Sequence, residues 1–332
     1  MARLMVRLRR LSRNDQVVLS VLAVLAGALV AYGSLGFRWL IGAVQWVFYG
    51  DQQEYLMSAV AELPWWQILL APAVGGLLIG LFLKYIMPGS KPLGVAHVIE
   101  VGALRGGRMS LNQALGAAFV SAASLGVGGS AGREGPMVHF GAALASWVAR
   151  RFHLSSSITL TLLGCGVASG VAASFNAPIA GVFFALEVVI GHYALHAFSP
   201  IVIASVVGTI VSRAHLGDHP AFVVIEHAPV HMAEYPAFIL LGISCAVIAT
   251  LMLRSIALAD AGFSRSSLPV WLRPAVGGLG IGALALAFPQ VLGVGYEATD
   301  MALNASFELW LLLALIVAKT MATSLTIGAG FG

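Results

Sequence analysis

The stretch Pro72-Ala-Val-Gly-Gly-Leu-Leu-Ile-Gly80 recurs 202 residues later as Pro274-Ala-Val-Gly-Gly-Leu-Gly-Ile-Gly282, identical at eight of nine positions. Two unrelated packing helices could share GxxxG spacing, present here as Gly76/Gly80 and Gly278/Gly282. A true duplication must show the same offset elsewhere. It does, because Ser124-Leu-Gly-Val-Gly128 meets Gly328-Ala-Gly330 at that offset. Repeats of this kind build many transporters, with the substrate site at the repeat interface. The counterpart of Ser130 is Gly332, so the second half is expected to be incomplete and the chain to be a fragment cut inside a Gly-rich loop.

The medium follows from the charge supply. Of 332 residues, 59% are hydrophobic and 10% charged, against about 45–50% and about 25% in soluble proteins. With 18 Lys/Arg and 14 Asp/Glu the chain could not cover a water-facing surface. An all-α polytopic membrane protein is expected. Apolar segments fall at 16–48, 66–87, 110–127, 136–150, 157–172, 178–195, 198–213, 233–258, 268–288 and 308–327. Several are shorter than the ~20 residues a perpendicular span needs. They predict tilted or broken helices, whose ends are tolerated at membrane depth where they line a polar cavity.

Arg3, Arg7, Arg9, Arg10 and Arg13 precede the first apolar run. They predict an interfacial helix over 1–14 and a cytoplasmic N-terminus, and nucleic-acid binding is the poorer explanation of the same charge. The expected organisation is 1–14 interfacial, 15–214 first half, 215–231 polar inter-repeat loop and 232–332 truncated second half. His215, His219, His227 and His231 lie in that loop without the HExxH order, and are expected to be an exposed His-rich loop with no metal. Cys165 and Cys245 are expected as small buried hydrophobes. No cofactor motif is present in the sequence.

The segment that carries chemistry is Gly126-Val-Gly-Gly-Ser-Ala-Gly-Arg-Glu-Gly-Pro136. Pro136 suits a first helical turn, and the glycines before it free backbone amides to converge on one point. A helix N-terminus with exposed amides binds an anion without any side chain. It is no P-loop, since Arg133 and Glu134 stand where Lys and a hydroxyl are needed. Glu134 is an anion competing for that site. Charged, it plugs; protonated, it leaves. An ionisable group at membrane depth is a functional candidate by default, so Glu134 is expected to be a proton-sensitive gate in place of a simple complement to the helix dipole.

Gly132-Arg-Glu-Gly-Pro136, together with Ser174-Phe-Asn-Ala-Pro-Ile-Ala-Gly-Val-Phe-Phe-Ala-Leu-Glu187, resembles the CLC family of chloride channels and chloride/proton antiporters over essentially the whole chain. The resemblance implies two inverted halves of tilted and broken helices, one anion pore per subunit, and a homodimer in the cell (inner or plasma) membrane. It implies chloride as substrate, protons as a second one in antiporters, and Glu134 as external gate. Anion binding is then expected at Gly132, Arg133, Glu134 and Gly135, and at a first motif aligned without gaps as Leu93, Gly94 and Val95.

The sequence departs from the family pattern in two places. Leu93 stands where the family has a serine, although Ser90 lies three residues earlier. Backbone amides alone would then hold the central anion. The internal proton glutamate of antiporters falls on Val188, which leans toward a channel. Glu187 is adjacent, but one residue turns a helix by about 100°, so it is expected to be structural. The third family motif and a later tyrosine would lie past Gly332. His192 and His196 are expected at an aqueous end, and His139 as a packed histidine outside any proton path. Fluoride is the alternative substrate because the central serine is absent, while the intact Gly135-Pro136 pattern favours chloride. An intramembrane enzyme using Glu134, Glu187 and a histidine is the rival from another class. It expects a nucleophile or metal-ligand cluster that the sequence does not display.

Overall fold

The computed structural model describes residues 15–52, 56–87, 93–191, 195–218, 222 and 231–331. The helix expected over 1–14, most of the His-rich loop, Ser90 and His192 lie outside these residues. Among the described residues there is no strand. The helices are α1 (Asp15–Tyr49), α2 (Leu56–Ala61), α3 (Trp65–Tyr85), α4 (Val95–Leu104), α5 (Leu111–Gly126), α6 (Glu134–Arg151), α7 (Ser156–Phe175), α8 (Pro178–Phe184), α9 (Leu195–Leu216), α10 (Tyr235–Arg265), α11 (Arg273–Ala287), α12 (Tyr296–Leu303) and α13 (Leu309–Gly328).

Among the described residues, seven helical stretches are long and apolar enough to cross a membrane, including Gln16–Tyr49, Ser156–Phe175 and Leu309–Gly328. Their outward faces are apolar as well. Trp39, Trp46 and Val47 on α1, and Leu240, Leu253 and Leu258 on α10, are exposed. A water-facing helix would place its polar face there; this surface suits lipid. Cys245 sits on α10 and is exposed, contrary to the expectation of burial, within the stretch 235–247 where every side chain of that helix is exposed. Cys165 is buried on α7 as expected.

Packing divides the chain into two compact units. One comprises Met1–Trp39, Pro92–Phe119 and Arg133–Ala221. Its core joins Ala26, Val138, Ala142, Leu162, Leu163 and Ile201. Gly141 on α6 and Gly166 on α7 face each other's carbonyl so closely that a Cβ on either would overlap it. Small residues let two backbones meet in this way where lipid offers no hydrophobic drive.

The other unit comprises Leu40–Lys91, Val120–Gly132 and Phe222–Gly332, and contains the repeated segments. Here α3 and α11 pack antiparallel through those segments. A Cβ on Gly76 would strike the Pro274 carbonyl, and one on Gly278 would strike the Pro72 carbonyl. Gly80 meets the Trp271 carbonyl as Gly282 meets that of Leu69. Gly75 faces Val127 and Gly277 faces Ala329. The Gly76 and Gly80 contacts reappear with both residue numbers exchanged across the 202-residue offset, and the Gly75 contact within one copy reappears in the other with both numbers shifted by it; this is the signature of a twofold relation between inverted copies. The helix ends agree. α5 stops at Gly126 and α13 at Gly328, with Gly128 at φ +92° and Gly330 at φ +80° in the left-handed region that suits glycine. Gly129 N–H donates to Ser124 O as Phe331 N–H donates to Thr326 O.

Candidate anion site

The first unit brings two helix N-termini together. α4 starts after Gly94 and α6 after Arg133. His97 near the start of α4 lies 3.1 Å from His139 near the start of α6, Nδ1 to Nε2. Further along, Met109 N–H donates to Ser146 Oγ at 2.9 Å. The two contacts follow one order along both segments, so α4 and α6 open at the same end.

Neither opening is capped. No side chain accepts from the first-turn amides of α4 or α6, whereas Ser155 accepts from Ile158 N–H at the start of α7. Uncapped first-turn amides need water or a ligand. Gly94 and Gly135 also leave room in front of them, since a Cβ at either would meet no atom within 4 Å. Gly94 has φ −122°, so its backbone does not demand glycine. Leu93 precedes Gly94, is half-buried and offers no hydroxyl, and Val95 opens α4.

Glu134 is the first residue of α6, half-buried, with no hydrogen bond or ion pair from its carboxylate to any described residue. Arg133 beside it is only 7% exposed, and its Nη2 donates to Ser174 O at the end of α7, 2.9 Å away. Its guanidinium is thereby turned toward α7. Ser174, Ser34 and Arg38 share a recess with it, and the two serine hydroxyls stand 3.3 Å apart.

In the second unit the glycine loop is held by its carbonyls and amides. Tyr49 OH donates to Val127 O at 2.8 Å, Gly293 N–H to Gly128 O at 3.3 Å, and Ser130 N–H to Thr326 Oγ1 at 3.0 Å. Lys319 Nζ donates to the Val291 and Gly293 carbonyls at 3.0 and 2.9 Å, fixing the turn that reaches Gly128. Tyr49→Phe should cost about 1–3 kcal/mol by leaving a buried carbonyl unpaired. Chemical unfolding in detergent would measure it, and an unchanged midpoint would refute the anchoring role.

Glu187 and Val188 sit elsewhere, on a π-helical turn Ala185–Ile190 that continues α8. Both are exposed, so the angular separation expected of an α-helix does not bury one and expose the other. Gly191 at φ +76° closes the turn, so the apolar run 178–195 is interrupted. His139 is packed and 1% exposed, as expected, but its partner is a second histidine. His97, Tyr49 and Lys319 are absent from the motif reading. Of these, Lys319 has a signal in the sequence, as the lone charge within the apolar stretch 309–327.

A two-copy inverted architecture of membrane-length helices, with paired uncapped helix ends, defines a polytopic membrane protein of the inverted-repeat transporter class. Residues 75–332 match the voltage gated chloride channel family model. A ClcB-like protein of Ralstonia nicotianae is 34% identical over 314 residues, covering 93% of this chain and 73% of that one. The voltage-gated ClC-type chloride channel ClcB of Escherichia coli is 30% identical over 313 residues, covering 93% and 74%. In fold, the chain is similar to a slow cyanobacterial Cl-/H+ antiporter (TM-score 0.79, 22% identity, 94% of this chain and 74% of that one). It is also similar to a CLC-type fluoride/proton antiporter (TM-score 0.73, 23% identity, 94% and 75%). The chain belongs to the CLC family of chloride channels and transporters.

Proposed function

We propose that this chain moves chloride across the membrane along the uncapped ends of α4 and α6, with Glu134 as the gate. The observation that carries the proposal is the pair of parallel helix openings with empty space in front of Gly94 and Gly135. Such openings carry a partial positive charge and orphan N–H donors, which is what a dehydrated anion needs. Gly132, Arg133, Glu134 and Gly135 on one side, and Leu93, Gly94 and Val95 on the other, are the proposed binding backbone. The Glu134 carboxylate competes for the same donors when charged and vacates them when protonated. Residues 15–214 and 232–332 are proposed as the two repeat halves, joined by the polar loop 215–231. A homodimer in the cell membrane with a cytoplasmic N-terminus completes the proposal.

Val188 favours channel-like conduction, since no carboxylate stands there to take an internal proton. The coupled alternative is supported by the likeness in fold to chloride/proton and fluoride/proton antiporters; in that case Glu187, next to Val188 in the chain, is the carboxylate proposed to take the proton. Liposomes carrying the gene product, with chloride efflux and external pH recorded together, separate these readings. Efflux without proton movement identifies a channel. A fixed opposed proton flux identifies exchange, and fluoride flux without chloride flux rejects the substrate assignment.

Leu93→Ser adds one hydroxyl at the mouth of α4. A neutral hydrogen bond contributes about 0.5–1.5 kcal/mol, so chloride should bind roughly 2–10-fold more tightly by calorimetry. No gain would place the central site elsewhere than beside Leu93.

A further inference from the structure

The His97–His139 contact joins the two helices that open onto the proposed anion path, and that path makes no use of it. His139 is 1% exposed on α6, and His97 is half-buried on α4. Their Nδ1 and Nε2 atoms are 3.1 Å apart. At that distance one ring must donate and the other accept, so the bridge holds a single shared proton whether the pair is neutral or carries one charge. A second added proton would set two N–H groups against each other and break the contact. The pair is therefore built to change by one positive charge.

We infer that His97 and His139 form a proton-binding site that acts on the anion path from behind its helix openings. The inference rests on the reading of α4 and α6 as that path. His97 is the third residue of α4, and His139 lies five residues after Glu134, about 7.5 Å along the α6 axis. Other ionisable groups on the elements around the pair are accounted for. Glu100 on α4 is paired with Arg105 at 3.0 Å. On α6, Glu134 opens the helix behind Arg133, and Arg150 and Arg151 close it. α7 contributes only Cys165, the π turn Glu187, the loop after α4 Arg108, and the described side chains of α1 Tyr32, Arg38 and Tyr49. Among these, Glu134 is the carboxylate carried by the same helix as His139 and placed at the proposed path. A positive charge on the pair draws anions toward the openings. Loss of that charge does the reverse.

The test uses chloride efflux from liposomes between about pH 3.5 and 8. Glu134→Gln removes the gate, so that a remaining dependence on pH reports the pair. A residual, shallow fall in flux of about twofold with rising pH is expected. That slope should vanish in E134Q/H97Q/H139Q, which leaves no ring of the pair to take a proton. It should persist in E134Q/H97Q with its midpoint moved to higher pH, because His139 then lacks the neighbouring ring that disfavours its charged form. E134Q/H97Q replaces only the half-buried partner, and so stays informative if variants at His139 fail to fold. A flat E134Q profile, or an E134Q/H97Q midpoint equal to that of E134Q, overturns the proton site while leaving the gate intact. Absence of chloride flux in the native protein, or a native profile in E134Q, instead overturns the function on which the site rests.

Discussion

Glu134→Gln is expected to give a protein whose chloride efflux at neutral pH already equals the native rate at acid pH. The neutral amide copies the protonated carboxyl in size but cannot take a charge, so it does not compete with chloride for the first-turn amides of α6. The protonated fraction of a single carboxyl falls about tenfold per pH unit on the alkaline side of its titration. Native flux should therefore swing up to about tenfold over the titration, and the variant's swing should shrink to about twofold. The position of the side chain makes the effect large. Glu134 is the first residue of its helix and has no bond to any described residue that would hold it out of the path. A variant with the native pH profile would show that Glu134 only complements the α6 dipole, a contribution of about 0.3–1 kcal/mol with no gating consequence.

Gly278→Leu should have the largest effect on folding. Its Cβ would overlap the Pro72 carbonyl, and a backbone atom inside a helix cannot rotate away as a side chain can. Overpacking in a core costs about 1–3 kcal/mol when neighbouring side chains can adjust, and more when they cannot. Most of the monodisperse protein should be lost on size-exclusion chromatography. Gly76→Leu should behave alike, because it makes the same clash with Pro274. Gly242→Leu on α10 is the contrast, since a Cβ there meets nothing within 4 Å. It should express normally. Equal yields from Gly278→Leu and Gly242→Leu would refute the tight seam.

The repeat was legible in the sequence, because a duplication copies residue identity and a single offset reveals it; that its two copies pack on each other was not, since nothing in a repeated segment says what it touches. The long spans were legible through apolar length. α4 and α12 were not, since ten and eight residues fall below any length that marks a span. The π turn at Ala185–Ile190 was hidden for another reason: its hydrogen-bond shift leaves apolar composition unchanged. At the site, Glu134 and the glycines announced themselves as a contiguous motif. His97 and His139 are 42 residues apart, in neither a metal-ligand nor a catalytic spacing, and only the side-by-side course of α4 and α6 makes them partners. Cys245 was misjudged because an apolar run in a membrane chain can face lipid as readily as a core.

The exchange of numbers across the α3–α11 seam also bears on where such a chain could come from. A surface whose every contact is mirrored is complementary to an inverted copy of itself. A one-copy ancestor with that surface needed no separately evolved partner, because a second molecule inserted the other way up already supplied one. Fusing two copies in one gene then fixes what chance meeting had to provide. It also frees each half to diverge, so that Gly126-Val-Gly128 could come to precede Gly132-Arg-Glu-Gly-Pro136 in the chain while Gly328-Ala-Gly330 kept the same turn.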